Sequence, residues 1–455
     1  MNIVQLTPGA GAMFCGNCLR DNALVKTMRA MGHQVLMVPL YLPLTLDEPD
    51  QTGNTPIFFS GISVYLRQKS GLFRYAPSWI DDVFASPRLL RWAAGRAAKT
   101  RAADLGDLTL SMLQGELGNQ ARDLELLLNW LKTQPRPDVV CLSNALLIGM
   151  ARMIKQELGV PVVCTLQGED SFLDGLLEPD RSACWETLSQ RAKEIDLFIA
   201  PTHYFGNRMR ERMGLPGEQV RVVYNGINLD GYDDPAESQK SKGLEPGQAL
   251  QSSANSAPIL GFFARMCREK GLDTLVETFI QVRRQGRIPD LKLHIGGSCG
   301  PADQPLVNLL REKLEAAGLA GDVAFFPNLD RAGKIKFLCS LSVFSVPAGY
   351  GEAFGLYLIE ALAAGVPVVQ PNTAAFPELV AVTGGGVVCE PTVQALATSI
   401  EDLLRDPARA RALGESGRRA VFEKFSAEAM TRSLIAEFET LNVETALTLR
   451  PQNGN

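Results

Sequence analysis

Pro347-Ala-Gly-Tyr-Gly-Glu-Ala-Phe-Gly-Leu-Tyr-Leu-Ile-Glu-Ala-Leu-Ala-Ala-Gly-Val-Pro-Val-Val369 is the stretch on which the reading of this chain turns. Leu356 to Ala364 is a run of strong helix formers. Gly365 with Pro367 stops that helix, and Val366 to Val369 is apolar enough for a strand covered on both faces. The stretch therefore reads as loop, helix and buried strand, with Gly355 where the backbone must come close to something. A helix opening this way leaves N–H groups without intrahelical acceptors from Ala353 through Phe354 to Leu356, and such a set attracts phosphate. Glu352 stands at its mouth and Glu360 one turn further in. Two acids flanking a phosphate-binding helix start suit a sugar nucleotide, one on the ribose, the other on the sugar, with the diphosphate on the amides between them. An ordinary βαβ unit with a loop acid and a solvated helix acid fits the same spacing.

Working outward, strand-then-helix units alternate along the chain, which predicts an α/β class with parallel sheets. A first set of strands is expected at Ile3–Leu6, Gln34–Pro39, Val139–Leu142, Val160–Leu166, Leu197–Ala200 and Val220–Val223. A second is expected at Ile259–Ala264, Lys292–Ile295, Val323–Phe326, Val343–Val346 and Val366–Val369. Between them, 230–258 holds Asp-Asp-Pro and then mostly Ser, Lys, Gly, Gln and Asn, the composition of a linker or insertion. Two Rossmann-like domains follow, 1–229 and 259–430, facing a central cleft where ligands bind at the carboxyl ends of strands.

Composition narrows the class. The chain has 455 residues, 46% hydrophobic and 21% charged, enough for well-buried cores in two or three domains. A net charge of −5 gives no reason to expect nucleic acid. Met1-Asn-Ile-Val-Gln-Leu-Thr-Pro lacks a basic leader region and reads as a first strand. The longest apolar stretch, Val139 to Ala151, is too short to span a bilayer, so a soluble cytoplasmic protein is expected. Nine cysteines with no paired spacing beyond Cys15/Cys18 fit reduced thiols.

The pattern E-x-F-G-x-x-x-x-E followed by A-x-A-x-G-x-P-V-V resembles the donor-binding motif of family 4 glycosyltransferases, the group 1 retaining enzymes of the GT-B fold. Upstream, Arg265-Met-Cys-Arg-Glu-Lys270-Gly271 places two cations five residues apart in a turn between strand and helix. A solvated basic turn is one reading; convergence on a diphosphate is the other, Arg as a planar fork and Lys as a mobile point charge. The segment resembles the family's R-x-x-x-x-K-G element, which favours the second. The resemblance further implies that Asn328, in Phe325-Phe-Pro-Asn328, lies near the nucleotide base, and that the amphipathic run from Ala427, with the tail 431–455, crosses back onto the first domain. Asn372-Thr-Ala-Ala-Phe-Pro377-Glu378 resembles a family segment that carries glycines where this chain has alanines, so Glu378 reads as structural.

In the first half, Gly16 opens a helix that ends at Gly32-His-Gln-Val, and the resemblance implies that this Gly-rich loop approaches donor and acceptor. As a dinucleotide fingerprint it is weak, since Gly9 and Gly11 lie too far before the helix. Cys15-Gly-Asn-Cys18 is compatible with loop packing, a redox pair or half a metal site; three histidines and no second C-x-x-C leave a zinc site short of ligands. Related transferases commonly have His where Gln167 stands, and Gln can bond a hydroxyl but not shuttle a proton. Glu169 and Asp170 then become candidates to orient or deprotonate the acceptor, against a plain reading as helix-start acids. An insertion is expected over about 60–120. Within it, residues 67–101 carry eight Lys or Arg against two Asp, with five large aromatics interleaved, suiting either a solvated lid or contact with an anionic membrane surface and a lipid-linked acceptor.

The expectation is a retaining transferase moving sugar from a nucleotide-diphosphate sugar to a glycan, glycolipid or small-molecule acceptor, in the cytoplasm and at the inner face of the membrane. Arg265, Lys270 and the amides of Phe354, Gly355 and Leu356 stabilise the leaving diphosphate, so no metal or other cofactor is required. Glu352 positions the sugar and Glu360 the ribose. An epimerase of the same fold and a non-catalytic sugar-nucleotide sensor are the alternatives.

Overall fold

The computed structural model describes residues 1–9, 16–46, 48–53, 55–59, 105–232 and 257–448, with side chains to 441. It has two compact units, Met1–Asn225 with Ala427–Asn455, and Gly226–Ser426. The first opens with β1 (Asn2–Thr7), α1 (Gly16–Ala30), β2 (Gln34–Pro39), α2 (Gly106–Gln114), α3 (Ala121–Leu131) and β3 (Val139–Leu142). It continues through α4 (Ala151–Leu158), β4 (Val162–Thr165), α5 (Glu169–Asp174), α6 (Asp180–Arg191), β5 (Leu197–Ala200), α7 (His203–Met213) and β6 (Val220–Val222). Its sheet runs β2-β1-β3-β4-β5-β6, every pair parallel. β3, β4 and β5 are buried along their whole lengths, which is why they read as unbroken apolar runs: helices cover both faces.

The second unit comprises β7 (Ile259–Phe263), α8 (Leu272–Gln285), β8 (Lys292–Gly297), α9 (Gln304–Ala316), β9 (Val323–Pro327), α10 (Arg331–Cys339) and β10 (Val343–Phe344). It ends with α11 (Leu356–Ala363), β11 (Val368–Pro371), α12 (Phe376–Thr383), β12 (Gly386–Cys389), α13 (Val393–Leu404) and α14 (Pro407–Lys424). The order is β12-β11-β10-β7-β8-β9, again parallel. The chain moves outward from β7 to β9, then returns to the other flank of β7 with β10. The switch in direction therefore lies between the carboxyl ends of β7 and β10, where doubly wound sheets bind ligands.

The last helix, α15 (Ala427–Thr448), belongs to the first unit. Its Met430, Leu434, Ile435 and Phe438 enter the core formed by Leu24, Val25 and Met28 of α1 with strand residues Ile3, Met37, Val139 and Val163. The divisions thus fall at Asn225 and Ser426, where the sequence suggested 229 and 430. The insertion expected over about 60–120 is shorter at its far end: α2 buries Thr109, Ser111, Met112 and Leu113, and a Cβ on Gly106 would sit 2.1 Å from Asp180 Oδ2. The linker residues 233–256 and the basic aromatic stretch 67–101 lie outside the described residues. The strand expected at Val366–Val369 runs Val368–Pro371, two residues later, because Val366 still belongs to the turn that closes α11. β12 escaped the reading because Gly384-Gly-Gly precedes only three apolar residues.

Candidate functional site

The loops after β7 and β10 meet because of Gly271. It sits at φ 72°, and a Cβ there would lie 2.0 Å from the Pro347 carbonyl oxygen, so only glycine permits the approach. That contact joins the Arg265–Gly271 turn to the Pro347–Gly355 loop. Across it, Lys270 Nζ lies 2.6 Å from Glu352 Oε2, with 21% and 13% of the side chains exposed. Glu352 Oε2 also accepts from Tyr357 OH at 2.8 Å and Tyr350 OH at 3.0 Å, and Lys270 donates to Tyr350 OH. The ammonium rests 4.9 Å from the Tyr350 ring centre and 5.2 Å from that of Tyr357, a cation–π cradle. Burial, and then the Glu352 charge, push both phenols well above their ordinary range, so they stay protonated donors.

Gly355, at φ 90°, caps α11, whose first residue is Leu356. Ala353 and Phe354 are buried just before it, the Phe354 ring packing on Phe425. The N–H groups of Leu356 and Tyr357 precede the first bond of the helix, Leu358 N donating to the Gly355 carbonyl at 2.9 Å, and carry the positive end of the helix dipole. Glu360, one turn in, has Oε1 2.8 Å from Lys334 Nζ of α10, and Lys334 is 9% exposed along its side chain. Arg265 is oriented by Asp303, whose Oδ1 accepts from Nε at 3.0 Å. Asp303 Oδ2 accepts from the Gly300 amide at 2.9 Å. Asn328, at φ 55°, closes the β8 loop by accepting from Cys299 N and donating to Cys299 O.

In this unit the structure brings Arg265, Lys270, Glu352, the α11 start and Glu360 to one end of one sheet. Asn328 lies at the end of β9, engaged with backbone. Tyr350, Tyr357, Asp303 and Lys334 were missed in the sequence. The tyrosines could have been found as hydroxyl-bearing residues flanking Glu352 in an otherwise apolar segment. Asp303 and Lys334 carry no local signal, since each acts across a different βα unit.

In the first unit the direction switch falls between β1 and β3. Asp21 is fully buried there, accepting from Thr7 Oγ1 at 2.8 Å, Ser143 Oγ at 2.5 Å and Arg20 Nε at 3.0 Å, while Arg20 also reaches Thr165 Oγ1 at 3.0 Å. This network ties α1, which opens at the exposed Gly16, to the carboxyl ends of β1, β3 and β4. Cys18 is buried; Cys15 lies outside the described residues. Glu169 accepts the amides of Ala145 and Gln167 at 2.8 Å and of Gly168 at 3.0 Å, tying two loops together. Burial raises its pKa, and the amides of Ala145 and Gln167 pull the other way. Asp170 pairs with Arg208 Nε at 2.5 Å and keeps its other oxygen buried without a partner. Gln167 Oε1 accepts from Asn225 Nδ2 at 3.3 Å.

Comparison with known proteins agrees with this architecture. Residues 250–420 match the model for glycosyl transferases group 1, and residues 108–230 that for glycosyltransferase family 4. A D-inositol 3-phosphate glycosyltransferase of Segniliparus rotundus is 27% identical over 63% of this chain and 62% of its own length. A GDP-mannose-dependent alpha-(1-6)-phosphatidylinositol monomannoside mannosyltransferase of Mycolicibacterium smegmatis is 33% identical over 51% of this chain and 59% of its own. The chain thus spans about three fifths of these curated relatives. Sucrose-phosphate synthase from Thermosynechococcus elongatus superposes with a TM-score of 0.67 over 97% of this chain and 99% of its own, at 19% identity. Anabaena HepE in complex with UDP does so at 0.65 over 97% and 100%, at 16% identity. Among the described residues no helix is long and apolar enough to cross a membrane. With two parallel sheets of GT-B type, and with both family models matching adjoining parts of it, the chain belongs to the group 1, family 4 glycosyltransferases.

Proposed function

We propose that the protein transfers a glycosyl group from a nucleotide-diphosphate sugar to a glycan, glycolipid or small-molecule acceptor, with retention of configuration and without a metal. One observation carries this reading. Two cations from the loop after β7 meet an acid, a helix start and a second acid, all from the segment after β10, at the direction switch of the second sheet. Arg265, Lys270 and the amides of Phe354 to Leu356 stabilise the charge that builds on the departing diphosphate, where preorganised donors act most strongly. Glu352 faces the transferred sugar and Glu360 the ribose; Asn328 shapes the loop beside the base. The mannosyltransferase relative is named for GDP-mannose and the HepE structure holds UDP, which supports a nucleotide donor.

On the acceptor or sugar side the proposal places Gln167, Glu169 and Asp170, with Glu169 holding the Gln167–Gly168 backbone; Gly16 is assigned to the donor. Residues 67–101 supply contact with a lipid-linked acceptor at the cytoplasmic membrane face. The test is turnover by purified protein with UDP-, GDP-, ADP- and TDP-sugars in the presence of chelator, followed by proton NMR of the anomeric signal. The expected result is release of nucleoside diphosphate with product of the donor's own anomeric configuration. Inversion removes retention from the proposal, strict dependence on a divalent ion removes metal independence, and intact donors throughout remove the activity.

A further inference from the structure

Glu352 Oε2 takes three donors at once: Lys270 Nζ, Tyr357 OH and Tyr350 OH. A carboxylate offers about two lone-pair sites per oxygen, so this oxygen holds one donor more than it needs. The three are not alike. The tyrosines are short of freedom: Tyr357 is buried in α11 and Tyr350 half-buried, each with two torsions to its hydroxyl. Lys270 ends a flexible four-carbon stem and is partly open to solvent. It is also one of the two cations to which the proposed function gives the diphosphate, and it cannot serve that group fully while neutralised by Glu352.

We propose that Tyr350 and Tyr357 are positioning residues that hold Glu352 in place while Lys270 leaves it for the diphosphate of the donor. The inference rests on the donor-site reading and adds an exchange to it. Without ligand, Lys270 pairs with Glu352 over the two rings. When a nucleoside diphosphate arrives, the ammonium swings to its oxygens, and no proton moves. The two hydroxyls then fill the lone pairs of Oε2, so a partly buried carboxylate is never left without donors, and Glu352 keeps the orientation it needs toward the sugar. Burial matters here because a phenol that stays protonated remains a donor throughout the working pH range. Glu352 therefore competes with the donor for Lys270, and the tyrosines lower the cost of that exchange.

The experiment is calorimetric binding of UDP and of GDP to the full chain, needing no acceptor and no turnover. Glu352→Gln removes the competing charge and is expected to bind the preferred nucleotide about tenfold more tightly. The double variant Tyr350→Phe, Tyr357→Phe leaves Lys270 as the remaining donor to Oε2 and is expected to bind about tenfold more weakly. Added to Glu352→Gln, the two Phe substitutions are expected to cost nothing further, a coupling that a merely structural role for the tyrosines does not produce. Each Tyr→Phe change is also measured singly, so the cycle survives if the double variant fails to fold. Unchanged or weaker binding by Glu352→Gln, or an equal loss from the Phe substitutions in both backgrounds, overturns the exchange and leaves the donor site standing. A parent protein that binds neither nucleotide overturns both.

Discussion

Lys334 and Glu360 form a pair in which the lysine is more enclosed than the acid, at 9% against 17% of the side chain. Removing the cation leaves a mostly buried carboxylate short of its partner, at a cost of ~1–3 kcal/mol. Lys334→Met is therefore expected to lower unfolding stability by about that amount, read from urea titration. In the proposed site it also weakens nucleoside diphosphate binding, because the acid turns from the ribose to find other donors. Glu360→Ala is expected to weaken the same binding by ~1–3 kcal/mol; unchanged affinity by calorimetry removes Glu360 from the donor site. Ala374, at φ 54°, occupies the left-handed region that costs a non-glycine residue ~1–2 kcal/mol. Ala374→Gly relieves that strain against a loss of ~0.5–1 kcal/mol in chain entropy, so the variant is expected to be as stable as the parent or up to ~1.5 kcal/mol better. A clear drop in thermal midpoint contradicts this account. The residue scale is also where the sequence is least legible. Gly271, Gly355 and the cations beside them announce themselves through backbone chemistry. Asp303 and Lys334 act through partners 38 and 26 residues away, and nothing in their own neighbourhoods marks them.

Among elements, α5, α6 and α7 are joined by Asp174, which accepts from both terminal nitrogens of Arg212, at 2.6 and 2.8 Å, and from Trp185 Nε1 at 3.0 Å. The hydrogen bonds from Arg212, and then that from Trp185, hold its pKa below the ordinary 3.8. A carboxyl with a lowered folded pKa adds stability that is fully present above the unfolded value and is lost as pH falls through the folded one. Asp174→Asn is thus expected to flatten part of the decline in stability below about pH 4, with a small effect near neutrality because the pair is partly exposed. An unchanged acid limb of the stability profile contradicts that. Element type was legible wherever apolar runs were flanked by glycine, proline, aspartate or asparagine, as in β3, β4, β5 and the pair of β7 with α8. β12 and α2 were not: the first is short and preceded by glycines, and the second is recognised only by the Asp180 and Met112 neighbourhoods that bury it.

At the scale of the whole molecule, the first unit is assembled from two separated pieces of chain. Phe438 of α15 is completely buried, and with Met430, Leu434 and Ile435 it joins a core otherwise built from residues before position 225. Truncating a buried Phe to Ala costs ~3–5 kcal/mol, and Phe438→Ala is expected to lower the first unfolding transition by that amount. A chain ending at Ser426 leaves Leu24, Val25 and Met28 without their cover. It is expected to bind a hydrophobic dye and to aggregate, while the second unit retains its own melting transition; a monodisperse, dye-silent truncation contradicts this. Two sheets of parallel strands were readable from the alternation of β and α. The return of the last helix was not readable from its amphipathic pattern, which shows that a face is covered without showing by what.

The discontinuous first unit has a consequence for synthesis. A ribosome adds ~5–20 residues per second, so the roughly 200 residues from Gly226 to Ser426 keep the nascent amino-terminal half waiting ~10–40 s before α15 emerges. The portion made first is completed last, behind a neighbour that can already be native, and for that interval its unfinished apolar surface is a natural client for a chaperone.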